Sequence, residues 1–417
     1  MSRAAVLSRI AHDACFDEPP LSLAGPWWLD LPPDFALQRE SFAMGLGDRI
    51  QVRAAAASDV LLRTVGACLV GGLALPIGYH PGRLRRAFED LEMIYGPPAE
   101  SADATRFFRA PAPGARIRSR RAPFARFRPR DGHWEDLTFE SAYEPFNPRE
   151  RAGYLRHKDN RVARLRLWRH AGPPRPTVMA IHGFSADLYW LNEWFFALPW
   201  LYRMGLDVAL FTLPFHGRRQ TRFSPFSGHG FFAGGPARIN EAFGQAVHDF
   251  RVFVDYLLEQ RGVPRVGVTG VSLGGFTSAL LASTESRLQF AIPNVPLASL
   301  PDLVLEWEPI GAVVRASLKL FRQRIEDARA MLAVSSPLTY RPLLPRERLM
   351  VIGGIGDRLA PPKHSRLLWE HWERCRLHWF VGSHVLHFDR GDYLRHTGRF
   401  LNEIGFFEGL ERTRRAG

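Results

Sequence analysis

The pentapeptide Gly270-Val271-Ser272-Leu273-Gly274 follows the apolar run Val266-Gly267-Val268-Thr269 and precedes Gly275-Phe276-Thr277-Ser278-Ala279-Leu280-Leu281, a helix-like stretch. G-x-S-x-G set between a strand and a helix is the pattern that exposes a serine hydroxyl as a nucleophile. Its glycines have a steric reason. The turn holds the serine in an unfavourable backbone region, and side chains on either side would strike the adjoining strand and helix. A serine hydroxyl is a weak nucleophile at neutral pH, so it needs a base, and the base needs an orienting group. Candidates for both follow in the chain. Asp357, in Gly353-Gly354-Ile355-Gly356-Asp357, comes after an apolar run at 349–352 and before Pro361-Pro362. His384, in Gly382-Ser383-His384, comes after the next apolar run at 377–381.

Other residues compete for these roles. His387 lies three positions past His384 but further from the glycine turn, which favours packing or hydrogen bonding nearby. His182 reads as a structural residue of the loop after 177–181. His216, in Leu213-Pro214-Phe215-His216-Gly217, fits a structural or rim position, and Arg218 and Arg219 beside it are solvated or available to an anionic substrate group. Asp302 and Glu306 are alternative acids, and Asp357 fits the order better. Neither HExxH nor a GxxxxGK phosphate loop is present, so the reading assigns no metal and no cofactor.

The elements that would position these groups begin near residue 132. Short apolar runs at 162–168, 177–181, 208–213, 266–271, 290–293, 349–352 and 377–381 alternate with helix-period segments, the texture of an α/β domain with a parallel sheet. The longest helical pattern runs from about 237 to 260, with Phe243, Val247, Phe250, Val254 and Leu257 spaced by three and four. Residues 1–131 read as an N-terminal extension. In it, Pro81-Gly82 opens a helix with Leu84, Phe88, Leu91 and Ile94 on one stripe. An Arg- and Pro-rich linker follows.

Taken together, these residues make the stretch from about 132 to 408 resemble the α/β-hydrolase superfamily, of the serine esterase and lipase kind. The markers are His182-Gly183-Phe184, the GVSLGG turn, the acid loop ending at Pro361-Pro362 and the terminal Gly382-Ser383-His384. The resemblance implies an α/β-hydrolase fold over residues 132–417, with a mostly parallel sheet and a lid at about 298–345. It implies Ser272 as nucleophile, His384 as general base and acid, and Asp357 as its orienter. The backbone N–H groups of Phe184 and Leu273 would form the oxyanion hole. The substrate class it implies is a carboxylic ester or thioester. A prolyl-oligopeptidase-like peptidase would use the same three residues, but the N-terminal part is too short for a repeat propeller. A non-catalytic binding protein on this fold is opposed by the intact Ser-His-Asp set.

Aromatic residues suggest an apolar acyl pocket. Phe223, Phe226, Phe231 and Phe232 lie in a Gly-rich loop on the carboxyl side of the sheet, where ligands are framed. The aromatic run at 188–202 and the apolar residues Leu303, Leu305, Trp307, Ile310, Val313, Val314, Leu318 and Phe321 read mostly as core.

Composition narrows the partners. The 417 residues carry 55 Lys and Arg against 42 Asp and Glu, a net +13, and only Lys158, Lys319 and Lys363 are lysines. Nine arginines and no acid fall within 105–130, so only +4 is left for the remainder. Nucleic-acid binding is therefore at most local, through Phe107, Phe108, Phe124 and Phe127 among these arginines, as is contact with an anionic surface. An arm wrapped on the domain, or a solvated linker, is the simpler reading. Three scattered cysteines (Cys15, Cys68, Cys375) and a first twenty residues without an apolar signal core fit a reducing cytoplasm. The uncharged run at 65–79 is too short to span a bilayer and reads as a buried helix or hairpin.

Overall fold

A computed structural model describes residues 25–73, 79–388 and 390–410. The first twenty residues and Cys15 lie outside them, as does 74–78 of the uncharged run. Nine strands form one sheet in the order β1-β2-β3-β5-β4-β6-β7-β8-β9. They are β1 (Arg118–Arg121), β2 (Gly132–Glu140), β3 (Val162–His170), β4 (Thr177–Ile181), β5 (Asp207–Thr212), β6 (Val266–Val271), β7 (Leu288–Asn294), β8 (Met350–Gly354) and β9 (Arg376–Phe380). From β5 to β9 every neighbouring pair is parallel, while β1, β2 and β3 add an antiparallel edge.

The seven apolar runs read from the sequence are β3 to β9, each within two residues at either end. Alternation along them explains the layers. In β4 and β5, Met179, Ile181, Ala209 and Phe211 face one core, and Val178, Ala180, Val208 and Leu210 face the other. Both sheet faces are thus apolar, as parallel strands covered by helices on each side must be. The helices used below are α1 (Leu46–Leu73), α2 (Pro81–Asp90), α3 (Pro236–Asp255), α4 (Leu273–Ala282), α5 (Leu300–Glu306), α6 (Ile310–Leu320), α7 (Ile325–Ala333) and α8 (Pro362–His371).

Two strands escaped the sequence reading. β1 is Arg-Ser-Arg-Arg, fully exposed, and its Ser119 hydroxyl donates to Glu135 of β2. It is an edge strand with charged residues, which carries no hydrophobic period and blocks edge-to-edge pairing. The arginine-rich segment around it lies on the domain: Phe107 and Phe108 are buried in the main core, and Phe127 packs on Tyr202. Phe124 alone of the four is exposed.

Residues before 131 share this core. Trp27, Leu31, Phe35 and Tyr95 are buried with residues of the sheet. Two carboxylates fasten them. The Tyr95 hydroxyl donates to Glu241 of α3 at 2.7 Å, and Arg329 of α7 donates to the carbonyls of Leu31 and Pro32 while paired with Asp302. The helix α1 corrects the reading of the uncharged run. It begins at Leu46, well before that run, and is long and apolar enough by composition to cross a membrane. Yet it is not a buried helix: Leu62 and Val65 are about half exposed, while Asp59 is completely buried.

A second correction concerns Arg219, which is buried rather than facing a ligand. Its guanidinium pairs with Asp249 of α3 at 2.6 Å and donates to the carbonyls of Thr212 and Asn160, wholly out of reach of a substrate anion. Arg218 is exposed. Breaking a buried pair leaves a charge without compensation. Arg219→Met should therefore lower unfolding free energy by about 3–5 kcal/mol in denaturant titration. Arg341→Ala, which touches only an exposed pair with Glu373, should stay within about 0.5 kcal/mol of the parent.

Candidate functional site

The turn between β6 and α4 carries Ser272 with φ 56° and ψ −116°, a strained combination for a side-chain-bearing residue. Its neighbours force it there. A Cβ on Gly270 would lie 2.0 Å from the Gly274 carbonyl oxygen, and one on Gly274 would lie 2.0 Å from that of Ile181. Strand, turn and helix are pressed together more tightly than any other residue allows, so the chain turns sharply and the serine stands at its apex. The Ser272 N–H donates to the Asn294 carbonyl of β7 at 3.0 Å, and the Phe276 N–H donates to the Ser272 carbonyl at 2.9 Å. Both bonds fix the apex.

Asp357 and His384 meet after β8 and β9. The imidazole Nδ1 lies 2.6 Å from Asp357 Oδ2, and the other carboxylate oxygen accepts the N–H groups of Leu359 at 2.9 Å and Ala360 at 2.8 Å. The acid is buried and almost fully engaged, so it has one orientation. Burial lifts its affinity for a proton, the His384 charge and hydrogen bond pull it down, and Asp59 pushes it up again. For His384, burial opposes the imidazolium most strongly, but the charge and hydrogen bond of Asp357 together with the charge of Asp59 leave the ring above its ordinary 6.5. A ring held by a carboxylate at Nδ1 keeps Nε2 free to act as base.

His387 does not compete. Its Nε2 lies 3.2 Å from the His384 carbonyl oxygen, its ring packs on Phe380 and Phe195, and burial holds its pKa down at about 3. His182 is structural: Nε2 accepts the Leu213 N–H at 3.1 Å and Nδ1 sits 2.8 Å from the Gly183 oxygen. His216 is wholly buried beside it, not on a rim. Asp302 is committed to Arg329, and Glu306 to Lys363 and His364.

Ser272, Leu273, Phe184 and His384 all line one cavity of about 1230 Å³. The lining is apolar. The segment at 298–345 folds as α5, α6 and α7 over it and contributes Leu303, Trp307, Ile310, Val313, Val314, Leu318 and Phe321, which sequence alone had assigned mostly to core. Leu305 stays out of the lining. From the aromatic run come Leu191, Trp194 and Phe195. The Phe-rich loop divides. Phe226 and Phe232 line the cavity, Phe231 is fully buried in the core, and Phe223 points to solvent at 89% exposure. The pocket assignment of Phe223 and Phe231 is therefore corrected: Phe231 packs on Phe243 and His216, and the Arg222 guanidinium lies over the exposed Phe223 ring.

The sequence reading missed the N-terminal share of this wall. Leu62, Val65, Gly66, Ala67 and Cys68 of α1 and Leu84 and Phe88 beyond it line the same cavity. One turn before them, the Asp59 carboxylate accepts hydrogen bonds from Ser383 Oγ at 2.9 Å, from the His384 N–H at 2.8 Å and from the Arg358 N–H at 3.0 Å. Among the described residues no group of His, Cys, Asp and Glu could hold a metal ion.

The structure resembles acetyl xylan esterase 1 of a Thermoanaerobacterium species, with a TM-score of 0.51 and 15% identity over 77% of this chain and 98% of that one. It also resembles the acetyl xylan esterase of a Paenibacillus species, with a TM-score of 0.52 and 14% identity over 75% and 94%. The chain has the α/β-hydrolase fold. In sequence it is 29% identical over 283 residues to an uncharacterised protein present in two strains of Mycobacterium tuberculosis. The match spans 65% of this chain and 65% of that protein's length. No family model matches. Within this hydrolase fold, the strained serine, the histidine and the cavity converge where β4, β6 and β9 end.

Gly274→Ala tests the close approach. A methyl group 2.0 Å from a main-chain oxygen cannot be absorbed by side-chain movement, so the turn must open. The expected outcome is loss of about 1–3 kcal/mol of stability and loss of fluorophosphonate labelling at Ser272. Calorimetry and a labelling gel check the two together.

Proposed function

We propose that the protein is a serine hydrolase that cleaves a carboxylic ester or thioester bearing an apolar acyl group. The observation that carries this reading is the shared opening of Ser272 and His384 into one apolar cavity, with His384 held by buried Asp357. Two proteins that share the fold are acetyl xylan esterases, which fits ester cleavage as the reaction class.

In this reading His384 Nε2 takes the proton of Ser272 Oγ as the oxygen attacks the substrate carbonyl carbon. Negative charge moves onto the carbonyl oxygen. The N–H groups of Leu273 and Phe184 are the donors assigned to it, and Leu273 stands at the first position of α4, where an orphan N–H and the helix dipole both favour an anion. His384 then gives its proton to the leaving alcohol or thiol, and an acyl ester remains on Ser272. Water activated by the same ring releases the acid. Asp357 stays ionised throughout and keeps Nε2 aimed at the serine.

The cavity supplies selectivity. Its volume of about 1230 Å³ exceeds the roughly 300–1,000 Å³ of most small-molecule sites, and its wall is largely hydrocarbon. Each further methylene buried there contributes about 0.8 kcal/mol, roughly fourfold in kcat/KM. With p-nitrophenyl esters, kcat/KM should climb by about that factor per carbon until the cavity is filled. Ser272→Ala should remove on the order of 10⁴-fold or more of kcat. Equal turnover of all chain lengths would overturn the apolar-acyl reading, and full activity in Ser272→Ala would overturn the hydrolase itself.

The histidine sets the pH dependence. Only neutral His384 can accept the serine proton, and Asp357 holds the ring's pKa above 6.5. Activity should therefore rise with pH along a limb centred above 6.5. Asp357→Asn should depress kcat about 10⁴-fold, because an amide favours the wrong ring tautomer.

A further inference from the structure

We infer that Asp59 is a positioning residue of the active site, holding the Asp357 and His384 loops in register from the N-terminal helix α1. The inference rests on the serine-hydrolase reading and adds a member to its machinery.

Asp59 is completely buried. Taking a carboxylate out of water costs several kcal/mol unless its oxygens are satisfied, so what satisfies them says what it is for. One oxygen, Oδ2, accepts both the N–H of Arg358, directly after the acid, and the N–H of His384 itself. The other, Oδ1, accepts the hydroxyl of Ser383, directly before the histidine. A single side chain thus ties together the two loops that must keep Asp357 and His384 in contact. Among the described residues no Lys or Arg forms an ion pair with it, so its hydrogen bonds there come from the two loops. Anchoring α1 needs no such group, because Val52, Phe42 and Met44 already pack that end against Ile355, Trp379 and Val381. Arg63, one turn along the helix, adds a bond to the Arg358 carbonyl at 3.2 Å.

The charge has a second consequence. Three titratable groups meet the His384 ring and loop: Asp357 from the acid loop, Asp59 from α1, and His387 from its own loop, while Arg63 of α1 is bonded to the Arg358 carbonyl. Asp59 and Asp357 both favour the imidazolium. Neutralising Asp59 removes one of these, so the ring should lose its proton at lower pH.

The test compares full-length wild type with Asp59→Asn and Ser383→Ala, using p-nitrophenyl ester hydrolysis across pH and an NMR titration of the His384 ring. Asp59→Asn keeps the shape but turns an N–H₂ or a weaker acceptor toward main-chain donors. Expected is a loss of about 10²-fold in kcat, the scale of a small misplacement of reacting groups, with KM little changed. The acid limb of kcat/KM and the His384 titration should both move to lower pH. Ser383→Ala, which removes only the Oδ1 bond, should lose about three- to tenfold in kcat with an unmoved limb. A folded Asp59→Asn with wild-type kcat and an unmoved His384 titration overturns the inference. If Asp59→Asn does not fold, wild-type kcat in Ser383→Ala overturns it. Failure of the hydrolase reading looks different: wild type then lacks Ser272-dependent turnover, while the NMR titration still reports whether Asp59 acts on His384.

Discussion

The close approach of three backbones at Gly270, Ser272 and Gly274 is the constraint on which the site depends. A residue at φ 56° is strained and persists only where its surroundings leave no alternative. Here β6 is sandwiched between β4 and β7, and α4 packs back on the same strands, so the turn cannot relax without separating sheet from helix. Strain and accessibility have one origin: the geometry that is hardest on the backbone lifts the hydroxyl clear of it. The orphan N–H at the start of α4 comes with the same turn. Ser272 and the Leu273 N–H are therefore placed by one local contact, while His384 and Asp357 are placed by two later loops.

Those loops follow neighbouring parallel strands, β8 and β9, and parallel strands put their carboxyl ends side by side. The Gly356 N–H donates to the Gly382 carbonyl at 2.7 Å, which joins the two loops before any side chain does. The cap then joins them to the cavity wall, because Trp307 donates its indole N–H to the Leu359 carbonyl two residues past Asp357. Cavity wall and Asp357 loop are consequently one connected body. A change in the cap helices at Trp307 is felt at Asp357 through a hydrogen bond and not only through the shape of the cavity.

What the sequence disclosed follows from range. The strands β4 to β8 were legible because each is buried on both faces and reads as a largely continuous apolar run, and β3 and β9 because apolar residues still dominate their inner positions. Ser272, Asp357 and His384 were legible because each follows such a run at a turn with its own glycine or proline signature. β1 was not, since four exposed residues leave no hydrophobic period. Phe223 and Phe231 could not be told from Phe226 and Phe232, because four phenylalanines in one loop carry no sign of which points inward. Asp59 was invisible for a different reason. Its partners are about 300 residues away in the chain, and an acid within an apolar helix gives no local hint of what it will meet.

The arginine excess has a related explanation in the fold. Arg219, Arg329 and Arg251 each donate to two or more main-chain carbonyls, and the first two are wholly buried. A planar guanidinium with five donors can satisfy several carbonyls and a carboxylate at once, which a lysine ammonium cannot match in geometry. Arg329 fastens residues 31 and 32 to α7, and Arg251 fastens residues 108 and 109 to the end of α4's loop at Thr284. Segments that lack regular structure thereby acquire fixed partners for their carbonyls. Residues 31 and 32 and residues 108 and 109, which flank the stretch that carries Asp59 and one wall of the cavity, are held by these bonds as well as by apolar packing. A chain with lysines at these positions would keep the net charge and lose the attachment.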